Sequence, residues 1–210
     1  MTSGARLPRF EPSALDAEQQ SLYDAIAGGR RAQGPQLFRL ADAEGRLEGP
    51  FNAFLLQPRL GSALQALGAS VRYDTGLGDR CREIAILVVA AHWQCEFEWY
   101  AHEAVGRAVG LGDAELAALR AGRHAELAGP ESVVARTAAA LMARGDLDDA
   151  EYAEAVGHLG PSGLFELLTL VGYYATLALQ LRVFRVPAPD SPAPDSPAPD
   201  SPAPDSPAPR

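Results

Sequence analysis

Apolar residues recur at helical rather than strand spacing through most of this chain, and that periodicity restricts the fold more than any other feature. Patterns that alternate apolar and polar residues, as half-buried strands do, are scarce. Ala, Leu, Glu and Arg, which favour helices, are abundant. The sequence therefore predicts an all-α, multi-helix domain over residues 1–186.

The predicted helices begin at N-cap candidates or at prolines, both of which are typical of a first helical turn. Ser13 is the N-cap candidate of the first helix, and Asp79 is expected to cap the helix that starts at Arg80. A short helix is predicted to open at Gly49-Pro50. The remaining predicted helices span 13–31, 58–73, 80–91, 94–110, 113–121, 130–144, 148–159 and 161–184.

The last 24 residues have a different composition. Pro-Ala-Pro-Asp-Ser repeats four times from Pro187, and Pro-Ala-Pro-Arg ends the chain. Alternating prolines cannot continue a helix or a central strand, and the repeat offers almost no apolar surface to bury. We expect residues 187–210 to form a disordered, extended tail. Docking of this tail on a proline-recognising partner is an open alternative.

Two predicted helices are apolar on nearly all sides. After its first turn the 80–91 helix reads Ile84-Ala-Ile-Leu-Val-Val-Ala-Ala91, and the 161–184 helix is similar. Such helices are buried in a domain or in an interface. Because a domain of this size has little interior for two of them, we expect the protein to form a homo-oligomer.

Charge and composition exclude several functions. The net charge of −9 argues against nucleic acid as a partner, because neutralising phosphates needs clustered cations. The two cysteines, Cys81 and Cys95, cannot form a secreted-type disulfide framework. No membrane association is expected, since no apolar run reaches about 18 residues. The first ten residues lack an apolar signal core. We expect a cytoplasmic protein.

One predicted helix carries the side chains with the most evident chemistry. Cys95, Glu98 and His102 are separated by three and then four residues, as neighbours on one side of a helix are. On a helical wheel they fall among apolar residues and away from Glu96 and Glu103. A buried carboxylate or imidazole is costly unless it is paired or serves a function. We therefore interpret these residues as a candidate proton-transfer or redox site.

Structural explanations remain open for each of these side chains. Glu98 and His102 also have the spacing of a helix-stabilising pair, and Cys95 could be a small buried hydrophobe. Glu83 lies in a first helical turn, where the helix dipole favours a carboxylate. No metal site is expected, because ligands from one straight helix rarely surround an ion.

This arrangement resembles the carboxymuconolactone decarboxylase family, which belongs to the all-α alkylhydroperoxidase D-like superfamily. The central similar segment runs from Arg82-Glu83-Ile-Ala-Ile-Leu through Cys95-Glu-Phe-Glu98-Trp to His102. Gly49-Pro50-Phe-Asn-Ala-Phe and the stretch from Glu166 to Tyr174 are similar as well. The resemblance covers about residues 15–186 and implies an alkylhydroperoxidase D-like fold.

The resemblance also indicates how this chain differs from the peroxidase branch of the superfamily. The peroxidase branch has Cys-x-x-Cys on this helix, a Glu before it and a His after it. Glu83 matches that Glu, Cys95 the first cysteine and His102 the His. Glu98 stands at the second cysteine, and Phe97 replaces the His between the two. The thiol that attacks peroxide and the disulfide it forms are therefore both missing.

The resemblance implies a decarboxylase-like lyase that acts, without a cofactor, on a small cyclic or lactone carboxylic acid. Glu98 and His102 would bind the substrate and supply a proton to the carbanion left by CO₂. Glu83 would orient His102 or a water molecule. The candidates for holding the substrate carboxylate or lying beside it are Arg72, Arg80, Arg82 and Asn52.

Two alternatives remain. The protein could be a peroxiredoxin-like antioxidant in which Cys95 acts as a single thiol, reduced by an external thiol. It could also be a non-enzymatic, oligomeric protein whose helical pocket holds an apolar ligand.

Overall fold

Helices make up the core of this protein, as its periodicity predicts. The computed structural model describes residues 5–33 and 37–189. Within those ranges the regular structure is helical except for an isolated bridge between Ala41 and Leu47. The α-helices are α1 (Ala17–Ala27), α2 (Gly49–Phe54), α3 (Pro58–Tyr73), α4 (Asp79–Trp93), α5 (Glu96–Ala108), α6 (Asp113–Arg120), α7 (Gly129–Arg144) and α8 (Asp149–Val183). The predicted all-α fold is confirmed.

The first helix begins later than predicted, and its cap is a different residue. Ser13 lies in a 3-10 turn, and α1 starts at Ala17. Asp16 is the N-cap, because its side chain accepts a hydrogen bond of 2.9 Å from the amide of Gln19. The Gln19 side chain accepts one of 3.0 Å from the amide of Asp16, which completes a capping box. The prediction of Ser13 as the cap is therefore wrong.

The centre of the fold is α4, which packs against α5, α6, α7 and α8. Its residues from Arg82 to Ala90 are all buried, as the uninterrupted apolar run predicts. The helix begins at Asp79, whose side chain does not cap it; the N-cap position belongs to Gly78. Because α4 is enclosed on all sides, any polar group on it must find a partner inside the protein.

The connection between α4 and α5 sets the position of the candidate site. Gln94 takes the left-handed conformation (φ 49°, ψ 44°), and Cys95 is extended (φ −91°, ψ 96°). The next helix therefore starts at Glu96 rather than at Gln94 as predicted. Cys95 occupies the N-cap position of α5, outside the helix that carries Glu98 and His102. This tight turn folds α5 back against α4.

The last helix is broken where the sequence predicts two helices. Gly160 has non-helical dihedrals (φ 69°, ψ 169°), and Pro161 follows it. Glycine alone adopts such a backbone easily, and proline removes a helical hydrogen bond. The helix as a whole packs against α4 and α7, and the segment after the break carries most of its buried residues.

By length and hydropathy, α8 also resembles a membrane span, with a mean hydropathy of 1.4 over 18 residues. Half of that window is buried within the protein, which is equally typical of a core helix. The predicted tail lies outside the described residues from position 190 onward.

Candidate active site

Two buried side chains from neighbouring helices form the centre of the site. Glu83 of α4 is fully buried, and its Oε2 lies 2.7 Å from Nδ1 of His102 on α5. Behind this pair, Nε of Arg82 lies 3.4 Å from the other carboxylate oxygen of Glu83, and Asp79 pairs with Arg82 at 2.9 Å. Glu83 is therefore held between a guanidinium and an imidazole.

The charges around this pair determine its protonation. Burial alone would raise the pKa of Glu83, but His102, Arg72 and Arg82 outweigh it and lower that pKa. Burial also lowers the pKa of His102, although Glu83 opposes this. An ionised carboxylate only accepts hydrogen bonds, so Nδ1 of a neutral His102 must donate to Glu83. The lone pair on Nε2 is thus left free to accept a proton or a hydrogen bond.

Glu98 stands in a different environment on the same helix. It is 3% exposed, and among the described residues neither carboxylate oxygen has a hydrogen-bond partner. Burial raises the pKa of Glu98 well above its usual value. An isolated buried carboxylate is so unfavourable that the group keeps its proton. Glu98 is therefore a neutral carboxylic acid, one helical turn from the imidazole of His102.

Glu98 and His102 line the same cleft, together with Arg72 of α3. The guanidinium of Arg72 lies 5.7 Å from the ring centre of Tyr73 and lowers the pKa of both Glu83 and His102. Within the described ranges Arg72 makes no hydrogen bond or ion pair. Of the predicted arginines, it is the one that faces the cleft with its charge unneutralised.

The walls of the cleft come from α2, α3, α5, α8 and the segment before α2. Its other lining residues are mainly aromatic or aliphatic: Arg31, Phe38, Pro50, Phe51, Phe97, Ala101, Tyr173, Tyr174, Leu177 and Leu181. About 430 Å³ is unfilled by atoms, part of it open to solvent. The cleft therefore has room for a small ligand.

Two tyrosines on α8 complete the site, although no sequence pattern identified them as site residues. The ring of Tyr174 stands edge-on to His102, with ring centres 5.0 Å apart, and Tyr173 packs on Tyr174 at 5.3 Å. A Cβ built on Gly68 would lie 2.2 Å from the Tyr173 hydroxyl, so glycine in α3 makes room for this side chain. The sequence feature that could have identified them is a pair of adjacent tyrosines in an otherwise apolar helix.

Cys95 does not line this cleft. It is buried against Phe97, Ala178 and Leu181 and borders a surface depression near Arg182. Burial, with the nearby Glu98, raises the pKa of Cys95 to about 12. The thiol thus lies next to the first turn of α5, close to Glu98, but it does not line the cleft that contains Glu98 and His102.

The other predicted substrate contacts are engaged elsewhere. Arg80 donates to Glu131 at 2.6 Å and to Glu115 at 2.7 Å, which ties α4 to α6 and α7. Arg82 is buried behind Glu83. Asn52 donates to the carbonyl of Pro8 at 2.8 Å and accepts from the amide of Phe10 at 3.3 Å, which anchors the N-terminal segment. None of the three lines the cleft, so we leave them out of the site.

The described residues contain no cluster of three or more His, Cys, Asp or Glu side chains that could hold a metal ion.

Comparison with known proteins agrees with this fold. Residues 58–141, which include Glu83, Glu98 and His102, match the profile of the carboxymuconolactone decarboxylase family. No curated protein sequence matches the chain significantly.

Solved structures of low sequence identity share the architecture. An AhpD-core, peroxidase-related protein from Ralstonia eutropha JMP134 superposes with a TM-score of 0.71 at 13% identity, covering 90% of this chain and 95% of the other. A peroxidase-related protein from Silicibacter sp. TM1040 gives 0.68 at 15% identity, covering 91% and 93%. The debrominase Bmp8, in complex with 2,3,4-tribromopyrrole, gives 0.65 at 9% identity, covering 90% and 94%. At these identities the likeness concerns the fold alone.

Proposed function

Because this chain belongs to the superfamily of carboxymuconolactone decarboxylases and AhpD-like proteins, we propose that it is a cofactor-free lyase that decarboxylates a small cyclic or lactone carboxylic acid. The observation that carries this proposal is Glu98, a buried carboxylic acid that lies on the wall of a cleft and has no hydrogen-bond partner among the described residues. A group held neutral in this way can deliver a proton at neutral pH.

The reaction needs a proton donor and a group that can carry the negative charge left by CO₂. When the bond between the ring carbon and the carboxylate breaks, CO₂ leaves and its electron pair stays on the ring. A conjugated carbonyl can carry that charge as an enolate. Glu98 then gives its proton to the carbon and becomes a carboxylate, which recovers a proton from solvent. The net change is one substrate carboxylate and one proton converted into CO₂ and the protonated product.

Arg72 and His102 would bind the charged and polar groups that take part in this step. The guanidinium of Arg72 lines the cleft and has no ion-pair partner among the described residues, so it can bind an oxygen of the substrate and of the enolate that follows. Nε2 of His102 would accept a hydrogen bond from the substrate or from the water that returns a proton to Glu98. Glu83 holds the imidazole in the tautomer that leaves Nε2 unprotonated.

The aromatic walls support a flat ring as substrate. Five aromatic side chains line the cleft together with the acid and the imidazole: Phe38, Phe51, Phe97, Tyr173 and Tyr174. Aromatic faces favour stacking with planar rings. The space between them is narrow, so a small ring fits better than a long chain. The pyrrole bound by Bmp8, a fold relative, is also a small flat ring.

A peroxiredoxin-like role is less well supported. The thiolate is the nucleophile in peroxide reduction, and a Cys95 thiol with a pKa of about 12 is almost entirely protonated at neutral pH. Cys95 also lies outside the cleft.

The test is CO₂ release from two kinds of ring acid, carboxymuconolactone and pyrrole-2-carboxylate, by the purified protein. We expect at least one acid to be turned over by the wild type and Glu98→Gln to reduce the rate by at least a hundredfold, since general-acid catalysis contributes about 10²–10⁴. Glu96→Gln, on the exposed side of the same helical turn, is the matched control and should retain full activity.

If Glu98→Gln and His102→Ala both left the rate unchanged, the proposed chemistry would be wrong. Binding of these acids without turnover by the wild type would instead favour the non-enzymatic, ligand-binding alternative.

A further inference from the structure

The outward side of α8 after its break carries a stripe of exposed apolar residues. We call this the α8 outer face; it consists of Phe165, Leu168, Gly172, Thr176, Leu179 and Val183. Phe165 is 70% exposed, Leu168 43%, Leu179 45% and Val183 57%. At about 100° per residue all six positions fall within roughly 80° of the helix circumference. Large apolar side chains grouped in this way mark an interaction surface.

The order of residues on this face is symmetric about its middle. Small residues, Gly172 and Thr176, lie at the centre, and larger apolar residues lie toward both ends. The positions are spaced almost equally in the two directions from residue 174. If two copies of α8 pack antiparallel about a two-fold axis at that point, Phe165 meets Val183 of the second copy. Leu168 then meets Leu179 of the second copy, and Gly172 meets Thr176.

The central pair allows the two helices to approach closely. Gly172 has no side chain, and no heavy atom of the protein lies within 4 Å of a Cβ built there. Thr176 turns its hydroxyl back to the carbonyl of Gly172 at 3.0 Å, which leaves its methyl group for contact. Small residues at a helix crossing shorten the distance between the axes, and larger side chains on either side can then interdigitate.

No charge interrupts the face. Between Glu166 and Arg182 the sequence of α8 contains no ionisable side chain other than the two inward tyrosines. Glu166 is occupied with Thr75 at 2.7 Å and with the amide of Gly76 at 2.9 Å. Arg182 donates to the carbonyl of Trp93. An uncharged surface with this symmetry matches another copy of itself better than a charged partner.

A groove beside the face extends the apolar surface. It runs between α3 and the end of α8 and is lined by Leu56, Leu60, Leu64, Gln180 and Phe184, among others. Leu60 is 58% exposed. The face is about 27 Å long, and with the α3 ridge about 20 Å wide, so its flat footprint is on the order of 500 Å². A stable interface removes about 800 Å² of accessible surface per partner, so the face and the α3 ridge together would form the larger part of such an interface.

We propose that this protein forms a two-fold symmetric dimer through the α8 outer face, with the groove beside α3 at the edge of the interface. In this dimer the expected homo-oligomer contact is made by the α8 outer face, and the two copies of α8 run antiparallel. The dimer does not depend on the proposed decarboxylation, because Tyr173 and Tyr174 are buried and do not belong to the face.

The first test measures the mass of the full-length protein in solution by size-exclusion chromatography with light scattering. We expect a dimer for the wild type. Phe165→Glu and Leu179→Glu should each shift it to monomer, because a two-fold axis places two new charges in one apolar interface. Tyr152→Glu is the matched control, since Tyr152 is 54% exposed on α8 before the break and should leave the dimer unchanged. Far-ultraviolet circular dichroism checks that each variant is folded.

The second test fixes the register through a disulfide. Leu168→Cys/Leu179→Cys should form a covalent dimer on mild oxidation, because these positions face each other across the axis. Within one chain they are about 16 Å apart, too far for a disulfide. Each single variant should stay uncrosslinked, since an antiparallel pair places its two equivalent cysteines far apart.

A monomeric wild type, or a dimer that survives both glutamate substitutions, would overturn the proposal. Crosslinking of the single cysteine variants would overturn the antiparallel register. Co-flotation of a monomer with vesicles of phosphatidylcholine and phosphatidylglycerol would show that the face contacts lipid instead.

Discussion

The carboxylate of Glu83 and the imidazole of His102 meet at 2.7 Å although 19 residues separate them in the chain. Both side chains are buried at the contact between α4 and α5. The pair therefore links the two helices and also determines which imidazole nitrogen is left for the cleft.

Removal of the imidazole should destabilise the protein strongly. In His102→Ala the carboxylate of Glu83 keeps only the 3.4 Å contact with Arg82, and breaking a buried pair typically costs about 3–5 kcal/mol. The free energy of unfolding in urea at neutral pH measures this. His158→Ala, at an exposed position of α8, should change it by less than about 0.5 kcal/mol. Equal effects of the two substitutions would contradict the structural role of the pair.

The buried acid should make stability depend on pH. Burial raises the pKa of Glu98 in the folded protein above the usual 4.5, so the folded state binds its proton more tightly than the unfolded state does. The stabilisation is fully present below about pH 4.5 and is lost as pH rises through the folded pKa, with a slope of up to about 1.4 kcal/mol per pH unit.

Glu98→Gln has no such proton. The difference in unfolding free energy between Glu98→Gln and wild type should therefore grow in favour of the variant as pH rises from 5 to 8. A pH-independent difference would show that Glu98 titrates normally.

The thiol of Cys95 should be chemically inert. With a pKa of about 12, its thiolate fraction at neutral pH is roughly a thousandfold or more below that of an ordinary cysteine. Intact mass after brief exposure to hydrogen peroxide should show no oxygen added at Cys95, and Cys95→Ser should retain decarboxylation. Cys81→Ser serves as the control that removes the other, half-buried thiol. Rapid oxidation that Cys95→Ser abolishes would restore the peroxiredoxin-like alternative.

Arg72 should contribute to substrate affinity. Loss of one charged hydrogen bond costs about 1.5–3 kcal/mol, so Arg72→Gln should raise KM roughly ten- to hundredfold for whichever acid is turned over. Arg30 is a close match, since it also packs on the ring of Tyr73, at 4.2 Å, but does not line the cleft. Arg30→Gln should leave KM unchanged. If both variants behaved alike, a general electrostatic effect would explain the change better than a contact.

The helical periodicity was sufficient to predict the all-α fold class and the burial of Glu98 and His102. The wheel separated Glu98 and His102 from the charged side of their helix, and the structure places both in the interior. This worked because their relative positions depend on one regular helix. The position of Cys95 was predicted less well, since the left-handed conformation of Gln94 starts the helix at Glu96 and leaves Cys95 at the N-cap. Local pattern does not resolve a helix boundary that closely.

Contacts between distant segments could not be predicted in this way. Three arginines that lie close together in sequence were equally good candidates for binding a substrate carboxylate: Arg72, Arg80 and Arg82. Arg80 is neutralised by partners 35 and 51 residues away, and only the packed structure shows this. Tyr173 and Tyr174 reach the cleft from α8, more than 70 residues after His102. Their role depends on how α8 packs beside α5, which no spacing within either helix records.

The central claim is that Glu98 is a neutral carboxylic acid at the pH at which the protein works. Infrared difference spectroscopy of wild type against Glu98→Gln at neutral pH tests it directly. The carbonyl stretch of a protonated carboxylic acid should be present in the wild type and absent from the variant. A carboxylate band in its place would show that Glu98 is ionised, and the proposed proton donor would be lost.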